Sequence, residues 1–535
     1  MNKLTLFCSA LLLSMAAQSA DDTARLRQLL AAGGAVTIPP GDYYVGTGEP
    51  LPLASEMKVE AQGARFHLPE KLGDKARVVV FAGTNVTDFS WHGGEFFGHV
   101  FDPARQENSW EPNVCTRMLV IATTPGGVTS NITFRGVQSH DIAGAVINIT
   151  GALPAHGERE VLTYASGVTI SDCTLLRSGK FMWDYGYLWQ QLVWPEDYAP
   201  WEVERARRYF RMDLIRDGVQ MADGDDFVRF DNRTKPLKVS TAADPRQALC
   251  FFGDALPKNI VRGKQYFVVA ATPDHIKVAE QPGGAPIRFA GAGGAGAKLI
   301  YNLFAAGPSL YAPTGAGPGK GGVDVVGCRN VSITGCTLSA LGDTMHLQRS
   351  RDAVFSHNHI TGSRMGAFFI AEYCQRVTAA SNTVDGSNGS RVMSVEKSAT
   401  DIAIVGNTFC NGGRGSWINQ PRNLLIQGNV FRNNTTKCER DPRRGRRSMA
   451  TGDYEHYAEM YFTTYESGGH YGNVMLRDNI FVTGPEATHA ITFAPGGANL
   501  VVTNNTFRGS VRTLPQSTGC TNVVIEANPD LELVR

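Results

Sequence analysis

The sequence lacks several features that mark common protein classes. None of its ten cysteines stands in a Cys-x-x-Cys pair, which argues against a zinc ribbon and a thioredoxin-type redox site. The formal net charge is only +1, so nothing in the overall charge points to a nucleic-acid partner. No amphipathic helix pattern separates the short apolar runs of the repeat region, which argues against an α/β barrel or a doubly wound sheet.

The sequence does contain an irregular repeat that dominates residues 331–535. Each unit is a short apolar run that ends in asparagine, followed by a turn and a second short strand. The asparagines are Asn358, Asn382, Asn407, Asn429, Asn479, Asn505 and Asn528. Their intervals are 24, 25, 22, 50, 26 and 23 residues, and the interval of 50 is either two units or one long loop. Strand repeats of about 20–30 residues predict an all-β solenoid, best fitted by a right-handed parallel β-helix.

Two cysteines occupy the place of the asparagine in earlier units. Cys173 and Cys336 end the apolar runs that begin at Val168 and Val331. We therefore expect both to be buried members of the same column of residues and not to form a disulfide.

Composition divides the chain into five segments. Met1–Ala20 has Lys3, an apolar core and small residues before Asp21, as a signal peptide does. Its core is far shorter than the roughly 20 residues of a membrane span. We therefore expect export to the periplasm or beyond, with no membrane span. The other predicted segments are an N-terminal cap with the first coils (21–180), an aromatic helical insertion (181–216), a small inserted β-barrel-like domain (217–303) and the main coils (304–535).

The N-terminal segment carries the first resemblance to known proteins. A predicted helix over Asp22–Ala32 is followed by Gly33-Gly34, a short strand and the turn Pro39–Tyr43. This arrangement resembles the N-terminal cap of pectate-lyase-like and polygalacturonase-like β-helix proteins, and the resemblance implies the fold. Residues 217–303 read like the small barrel inserted in several β-helix proteins that process glycans.

Two glutamates recur at one offset from the asparagines. Glu372 lies 14 residues after Asn358, and Glu396 lies 14 residues after Asn382. If both coils keep one register, the two carboxylates stack at roughly 4.8 Å. That spacing approaches the roughly 5–5.5 Å between the carboxylates of retaining glycosidases. The alternatives are a Ca²⁺ site and exposed residues at strand ends.

Other side chains are expected on the same face. In an alternating strand, Thr344, His346 and Gln348 point the same way, so His346 is a candidate general acid or base, or a sugar contact. The candidate substrate-binding residues are Gln348, Arg349, Arg364, Arg391, Trp417 and Trp189.

The segment Gly342–Leu347 resembles the Gly-Asp-Asp segment of β-helix glycosidases such as the polygalacturonases and the bacterial α-1,3-galactosidases. The resemblance implies that Asp343 supplies acid or base. Thr344 replaces the second aspartate. The second carboxylate would then come from Glu372, Glu396 or Asp324.

The segment Val392–Ser398 is similar to the Lys-Ser segment of β-helix alginate and chondroitin lyases. That similarity implies Lys397 as the base of a β-elimination, with Glu372 and Arg391 in supporting roles.

The sequence thus predicts an exported glycoside hydrolase that cleaves a polysaccharide or glycan, such as a galactoside or a uronate-containing chain. The alternatives are a polysaccharide lyase that uses Lys397 and a glycan-binding β-helix without activity. We expect a carbohydrate as partner and no nucleic acid, and no cofactor or metal unless Ca²⁺ is bound. Oligomeric state is left open.

Overall fold

The computed structural model describes residues 21–46, 48–68, 77–98, 115–142, 144–154, 158–179, 215–216, 218–233, 236–241, 248–252, 256–261, 265–294, 296–302, 320–340, 343–363, 366–386, 391–413, 415–436, 458–464, 469–515 and 519–534. The predicted signal peptide, most of the aromatic insertion, Trp189 and Arg364 lie outside these residues.

Three long parallel sheets, here called A, B and C, make up most of the described chain. Sheet A has the strands Ala35–Thr37, Lys58–Glu60, Thr87–His92, Ser130–Arg135, Ala165–Ser171, Cys328–Thr334, Arg351–Ser356, Gln375–Ala380, Thr400–Val405, Arg422–Gln427, Tyr471–Arg477, Gly497–Thr503 and Thr521–Glu526. Sheet B has Gly41–Tyr44, Ala64–His67, Glu95–Phe97, Gln138–His140, Thr174–Ser178, Thr337–Ala340, His359–Ile360, Thr383–Asp385, Thr408–Cys410, Val430–Arg432, Ile480–Thr483 and Thr506–Gly509. Sheet C has Leu51–Pro52, Arg77–Thr84, Cys115–Ala122, Ile147–Thr150, Lys320–Val326, Asp343–Gln348, Gly366–Ala371, Arg391–Val395, Ser416–Asn419, Ala458–Thr463 and His489–Phe493.

The chain visits sheets A, B and C in turn, and each strand pairs in parallel with the equivalent strand of the next coil. This is the path of a parallel β-helix, and it confirms the predicted fold class. Alternate side chains of every strand fill the interior, so one continuous hydrophobic core runs along the solenoid. Like residues stack between coils there. Phe409, Phe431, Phe481 and Phe507 form one column with ring centroids 5.0–5.2 Å apart.

The N-terminal helix spans Thr23–Ala31, within the bounds that the sequence predicts. Its Leu26 and Leu30 are buried in the same core as the coils. They pack where the strand order of the sheets begins, beside Ala35–Thr37 and Leu51–Pro52.

A buried column of asparagines joins the coils between sheets A and B. The Oδ1 of Asn407 accepts hydrogen bonds from both the backbone N–H and the Nδ2 of Asn382, at 2.9 and 2.8 Å. Its Nδ2 donates to the Ala379 carbonyl and to Asn429 Oδ1, both at 2.9 Å. The same pattern continues from Asn358 to Asn528. The predicted column is therefore confirmed.

The cysteines extend this column toward the N-terminus. Cys336 donates its backbone N–H to Asn358 Oδ1 at 2.9 Å, and both Cys173 and Cys336 are buried and free of disulfides. The interval of 50 residues is one coil with a long loop, because Asn429 donates its backbone N–H to Asn479 Oδ1 at 3.0 Å.

A second, exposed polar column begins the strands of sheet A. Its members have a positive φ near 55°, a conformation that asparagine and aspartate tolerate better than most residues. Asn423, Asn473, Asn499 and Asn522 each donate an Nδ2–H to the preceding member, at 2.7–2.9 Å. The spacing of the repeat does not predict this column.

A separate antiparallel sheet of seven strands interrupts the coils. In sheet order its strands are Ile215–Arg216, Lys298–Asn302, Ala248–Phe252, Gln265–Ala271, His275–Ala279, Val228–Arg229 and Gln220–Met221. It has its own hydrophobic cluster, which includes Phe251, Tyr266 and Val278. A two-stranded parallel pair joins Thr513–Pro515, which precedes the last strand of sheet A, to Glu532–Val534, which follows that strand.

Replacing Asn407 by Ala should destabilise the solenoid strongly. The change leaves the Asn382 N–H and the Ala379 carbonyl without their buried partners, so we expect the free energy of unfolding to fall by about 2–4 kcal/mol. The midpoint of denaturant unfolding measures this. Thr408→Ala, at the next and half-buried position, is the control and should cost below about 1 kcal/mol. Equal losses in the two variants would contradict a special role for the column.

Glu459 gives the stability a pH dependence. Its carboxylate accepts the Asn434 N–H at 3.0 Å, and burial raises the pKa of Glu459 from 4.5 to about 7. Because the unfolded chain loses this proton first, stability should fall as pH rises from about 4.5 to about 7, by about 3 kcal/mol. In Glu459→Gln this contribution should vanish, which unfolding at about pH 4 and about pH 8 would show. The exposed Glu526→Gln should keep the wild-type pH dependence.

Candidate functional site

The strand Asp343–Gln348 of sheet C presents polar side chains on the outer face of the solenoid. Met345 and Leu347 belong to the core, so alternation directs Thr344, His346 and Gln348 outward, as predicted. His346 is nevertheless only 5% exposed. The outer face of sheet C is therefore a sheltered surface on which buried polar groups must find partners.

His346 is held by an aspartate from the preceding coil. The register pairs Asp324 with His346 and Asn148 with Asp324. His346 Nδ1 lies 2.9 Å from Asp324 Oδ1, and Asn148 Nδ2 donates to Asp324 Oδ2 at 2.9 Å. Arg117 then donates to Asn148 Oδ1 at 3.2 Å. Four side chains from successive coils thus form one hydrogen-bonded row that fixes the imidazole. Among the described residues, Nε2 of His346 has no hydrogen-bond partner.

Glu372 gathers three neighbours at the end of the next strand. Gln348 Nε2 donates to Glu372 Oε2 at 2.9 Å, and Arg349 Nε lies 3.7 Å from the same oxygen. Lys397 donates to Glu372 Oε1. This cluster brings together four of the predicted site residues and places them beside the His346 strand, since Gln348 belongs to that strand.

The predicted stacking of Glu372 on Glu396 is wrong by one residue. Ile370 pairs with Val395, so Glu396 aligns with Ala371, while Tyr373 donates its N–H to the Lys397 carbonyl. Counting forward from the asparagines crosses the corner between sheets B and C, whose length varies. Counting backward works, because Ile370 and Val395 both lie 12 residues before the next asparagine, Asn382 and Asn407.

Asp343 lies at the start of its strand and is only 2% exposed. Strand alternation groups it with Met345 and Leu347 and places His346 on the opposite face. The role of Asp343 as acid or base stays a prediction.

Further along the same face, Arg391 lies over two aromatic rings. Its Cζ is 4.4 Å from the ring centroid of Trp417 and 6.0 Å from that of Tyr461. Trp417 is 8% exposed and Tyr461 is fully buried. Glu396 directly follows the strand Arg391–Val395 of sheet C and is 7% exposed. Arg391 and Trp417 therefore lie on the predicted face, two or three coils from His346.

Whether the protein binds Ca²⁺ stays a prediction. Within the described part of the chain, no group of three His, Cys, Asp or Glu side chains is placed to hold a metal ion. The described residues also contain no helix long and apolar enough to cross a membrane.

The family model for a right-handed β-helix region matches residues 297–440. The chain is a right-handed parallel β-helix. No curated protein sequence matches this β-helix at a significant level.

Several solved structures resemble this β-helix at low identity. The A-module of the mannuronan C-5 epimerase AlgE4 from Azotobacter vinelandii is 10% identical, with 96% of each chain covered and a TM-score of 0.46. A tailspike mutant of the E. coli bacteriophage HK620, in complex with a hexasaccharide, is 11% identical, with 94% of this chain and 71% of that chain covered and a TM-score of 0.42. The Streptococcus pneumoniae surface protein and adhesin PfbA is 11% identical, with 97% and 96% covered and a TM-score of 0.38.

Sequence reasoning missed the row that orients His346. Neither Asn148 nor Arg117 is among the predicted site residues, and Asp324 is predicted only as a possible second carboxylate for Asp343. A signal was present, because Asp324 and His346 both lie 12 residues before a member of the inner column, Cys336 and Asn358. Asn148 offers no such signal, since 176 residues separate it from Asp324.

Replacing Glu372 by Gln should destabilise the protein, because Lys397 and Arg349 would lose a largely buried carboxylate. We expect the free energy of unfolding to fall by about 2 kcal/mol, as judged from the denaturation midpoint. Asp352→Asn is a matched control, since Asp352 and Arg376 form an ion pair whose side chains are 38% and 50% exposed. That pair should contribute below about 1 kcal/mol. A loss at Glu372 no larger than at Asp352 would contradict the central position of Glu372.

Proposed function

We propose that this β-helix is an exported enzyme that acts on a uronate-bearing polysaccharide by β-elimination, with His346 as the group that accepts the proton. The observation that carries the proposal is the hydrogen bond of 2.9 Å between Asp324 and His346 on the outer face of sheet C. Export rests on the signal-peptide pattern of Met1–Ala20.

The orientation of His346 suits a general base. A carboxylate that accepts the Nδ1–H selects the tautomer whose lone pair is on Nε2, and it stabilises the imidazolium that forms after proton transfer. Asn148 keeps Asp324 in place through a bond to Oδ2, which leaves Oδ1 for the histidine. A pre-oriented base of this kind contributes about 10²–10⁴ to a proton-transfer rate.

The cations around this row suit an acidic sugar. Removing the proton beside a carboxylate builds negative charge on that carboxylate, and nearby cations stabilise it. Lys397, Arg349 and Arg391 lie on this side of the solenoid. Lys397 is ion-paired with Glu372, which supports a role as a cation in the site and gives the role of base to His346.

His346 can accept and return the proton that the elimination moves, and every electron pair is accounted for. His346 Nε2 takes the proton from C5 of the uronate, and the electron pair of that C–H bond forms the C4–C5 double bond. The bond between C4 and the glycosidic oxygen breaks, and that oxygen leaves with the electron pair. The imidazolium then holds the proton that the departing oxygen needs. No oxidant or cofactor enters this balance.

Hydrolysis is the second candidate, favoured by one observation. Glu372 and Glu396 lie on neighbouring coils at the same end of sheet C, one residue apart in register. Two carboxylates about 5–10 Å apart are what glycosidases use. Against this candidate stands the engagement of Glu372 with Lys397 and Gln348, which occupies both of its oxygens.

The deciding experiment is incubation of the protein in D₂O with polygalacturonate, alginate, chondroitin and a neutral galactan. Elimination gives unsaturated uronates that absorb in the ultraviolet and adds no water to the products. Hydrolysis gives saturated reducing ends from one of these polymers and would overturn the proposal. Deuterium at C5 of uncleaved polymer would keep His346 as the base but change the reaction to epimerisation. Binding without any product would favour a glycan-binding protein.

The base is tested by two substitutions. His346→Ala should abolish elimination, and Asp324→Asn should lower kcat at least about a hundredfold while KM changes little, because the imidazole loses its tautomer preference. The pH profile of the Asp324→Asn variant should also shift. His359→Ala, at an exposed site on sheet B, should retain full activity. Wild-type rates in either His346→Ala or Asp324→Asn would rule out this mechanism.

A further inference from the structure

Three arginines gather at the corner between sheets C and A. Arg329 and Arg351 begin neighbouring strands of sheet A and are paired in register. Arg159 lies on the segment that precedes Ala165–Ser171, and its side chain is exposed. Among the described residues, none of the three forms an ion pair. Like charges on directly opposed residues of neighbouring strands destabilise a sheet, so this arrangement has a cost that the fold does not explain.

Tyrosine rings contact two of these three guanidinium groups, those of Arg351 and Arg159. Arg351 Cζ lies 3.9 Å from the ring centroid of Tyr164. Arg159 Cζ and Arg349 Cζ lie 5.3 and 5.5 Å from the ring centroid of Tyr373. Stacking on a ring fixes the plane of a guanidinium while its N–H groups stay available at the edge. Arg351 and Arg159 are thus held beside aromatic rings, and neither forms an ion pair with another described residue.

The corner is continuous with the candidate site. Tyr373 follows Glu372 directly, and Arg349 contacts both the Glu372 carboxylate and the Tyr373 ring. A polysaccharide bound along the outer face at His346 could therefore extend across this corner. The electrostatic field there is positive. Arg376 holds the pKa of Asp352 below its ordinary value, and Arg351 and Arg329 add to that effect. Glu160 opposes the field from beside Tyr164.

We propose that Arg159, Arg329 and Arg351 form a subsite for an anionic group, a carboxylate or a sulfate, on a sugar of the polysaccharide beyond the one that reacts. The inference deepens the proposed function, on which its link to the reacting sugar rests. Guanidinium groups suit both anions, because their planar fork can donate two N–H bonds to the oxygens of one group. The stacked rings of Tyr164 and Tyr373 reduce the rotamer freedom that binding would otherwise remove.

Equilibrium binding of polygalacturonate, dextran sulfate and neutral dextran to the full chain tests the subsite. The protein carries His346→Ala so that no probe is consumed. In the double variant Arg329→Gln/Arg351→Gln, we expect the Kd for the anionic polymer to rise at least about tenfold and its salt dependence to weaken. Glu160→Gln is the opposite control and should lower that Kd. The weak binding of dextran should not change.

The two anionic probes identify the group, since a response with polygalacturonate alone indicates a carboxylate and one with dextran sulfate alone indicates a sulfate. An unchanged Kd and salt dependence in the double variant would overturn the subsite. The subsite would also be overturned if the anionic polymers bound no more tightly than dextran. Elimination is measured separately on the protein that retains His346. Arginine-dependent binding without elimination by that protein would keep the subsite and rule out the proposed reaction. Elimination by that protein together with an unchanged Kd in the double variant would keep the reaction and rule out the subsite.

Discussion

The amide–amide hydrogen bond between successive asparagines is the interaction on which the rest of the molecule depends. Each side chain in the column uses its carbonyl for the preceding coil and its amide for the next, as Asn407 does between Asn382 and Asn429. An amide buried at this corner would be costly without both bonds. Because a slip of one residue breaks them, the column fixes the register of the coils. Equivalent positions then lie about 4.8 Å apart along each sheet.

A fixed register lets residues that are remote in sequence form one site. Asn148 and Asp324 lie 176 residues apart, yet their strands pair directly in sheet C. The chain between them includes the separate antiparallel sheet and its own core. Each coil is held by ladder bonds to the coils on either side, so an excursion of that length leaves the stacking intact. Asn429 and Asn479 show the same tolerance within the later coils.

The sequence predicts which residues align between coils only where the count of residues does not cross a corner of variable length. The asparagine column, Cys336 within it and the outward face of His346 follow from the repeat, since each depends on local spacing. The register of Glu372 and Glu396 does not, because the corner between sheets B and C varies in length. The sequence also does not predict the exposed column that contains Asn423 and Asn473, because its members share a positive φ and not an apolar pattern. The role that the Gly342–Leu347 segment implies for Asp343 stays a prediction, because strand alternation groups that side chain with Met345 and Leu347 and not with His346.

The carboxylates on the outer face of sheet C have different hydrogen-bond partners. These partners affect which reaction, hydrolysis or elimination, each carboxylate can support. Asp324 is bound to a histidine and an asparagine, whereas Glu372 is bound to a lysine and a glutamine with an arginine nearby. A hydrolase needs one carboxyl group to hold a proton and another to face water or the sugar. An elimination needs an oriented base and cations that accept the charge of a uronate. The contacts of Asp324 with His346 and of Glu372 with Lys397 fit the second set of requirements better, which is why we propose elimination. Under that proposal, Arg351 beside Tyr164 and Arg159 beside Tyr373 would extend the positive field along the path of an acidic chain.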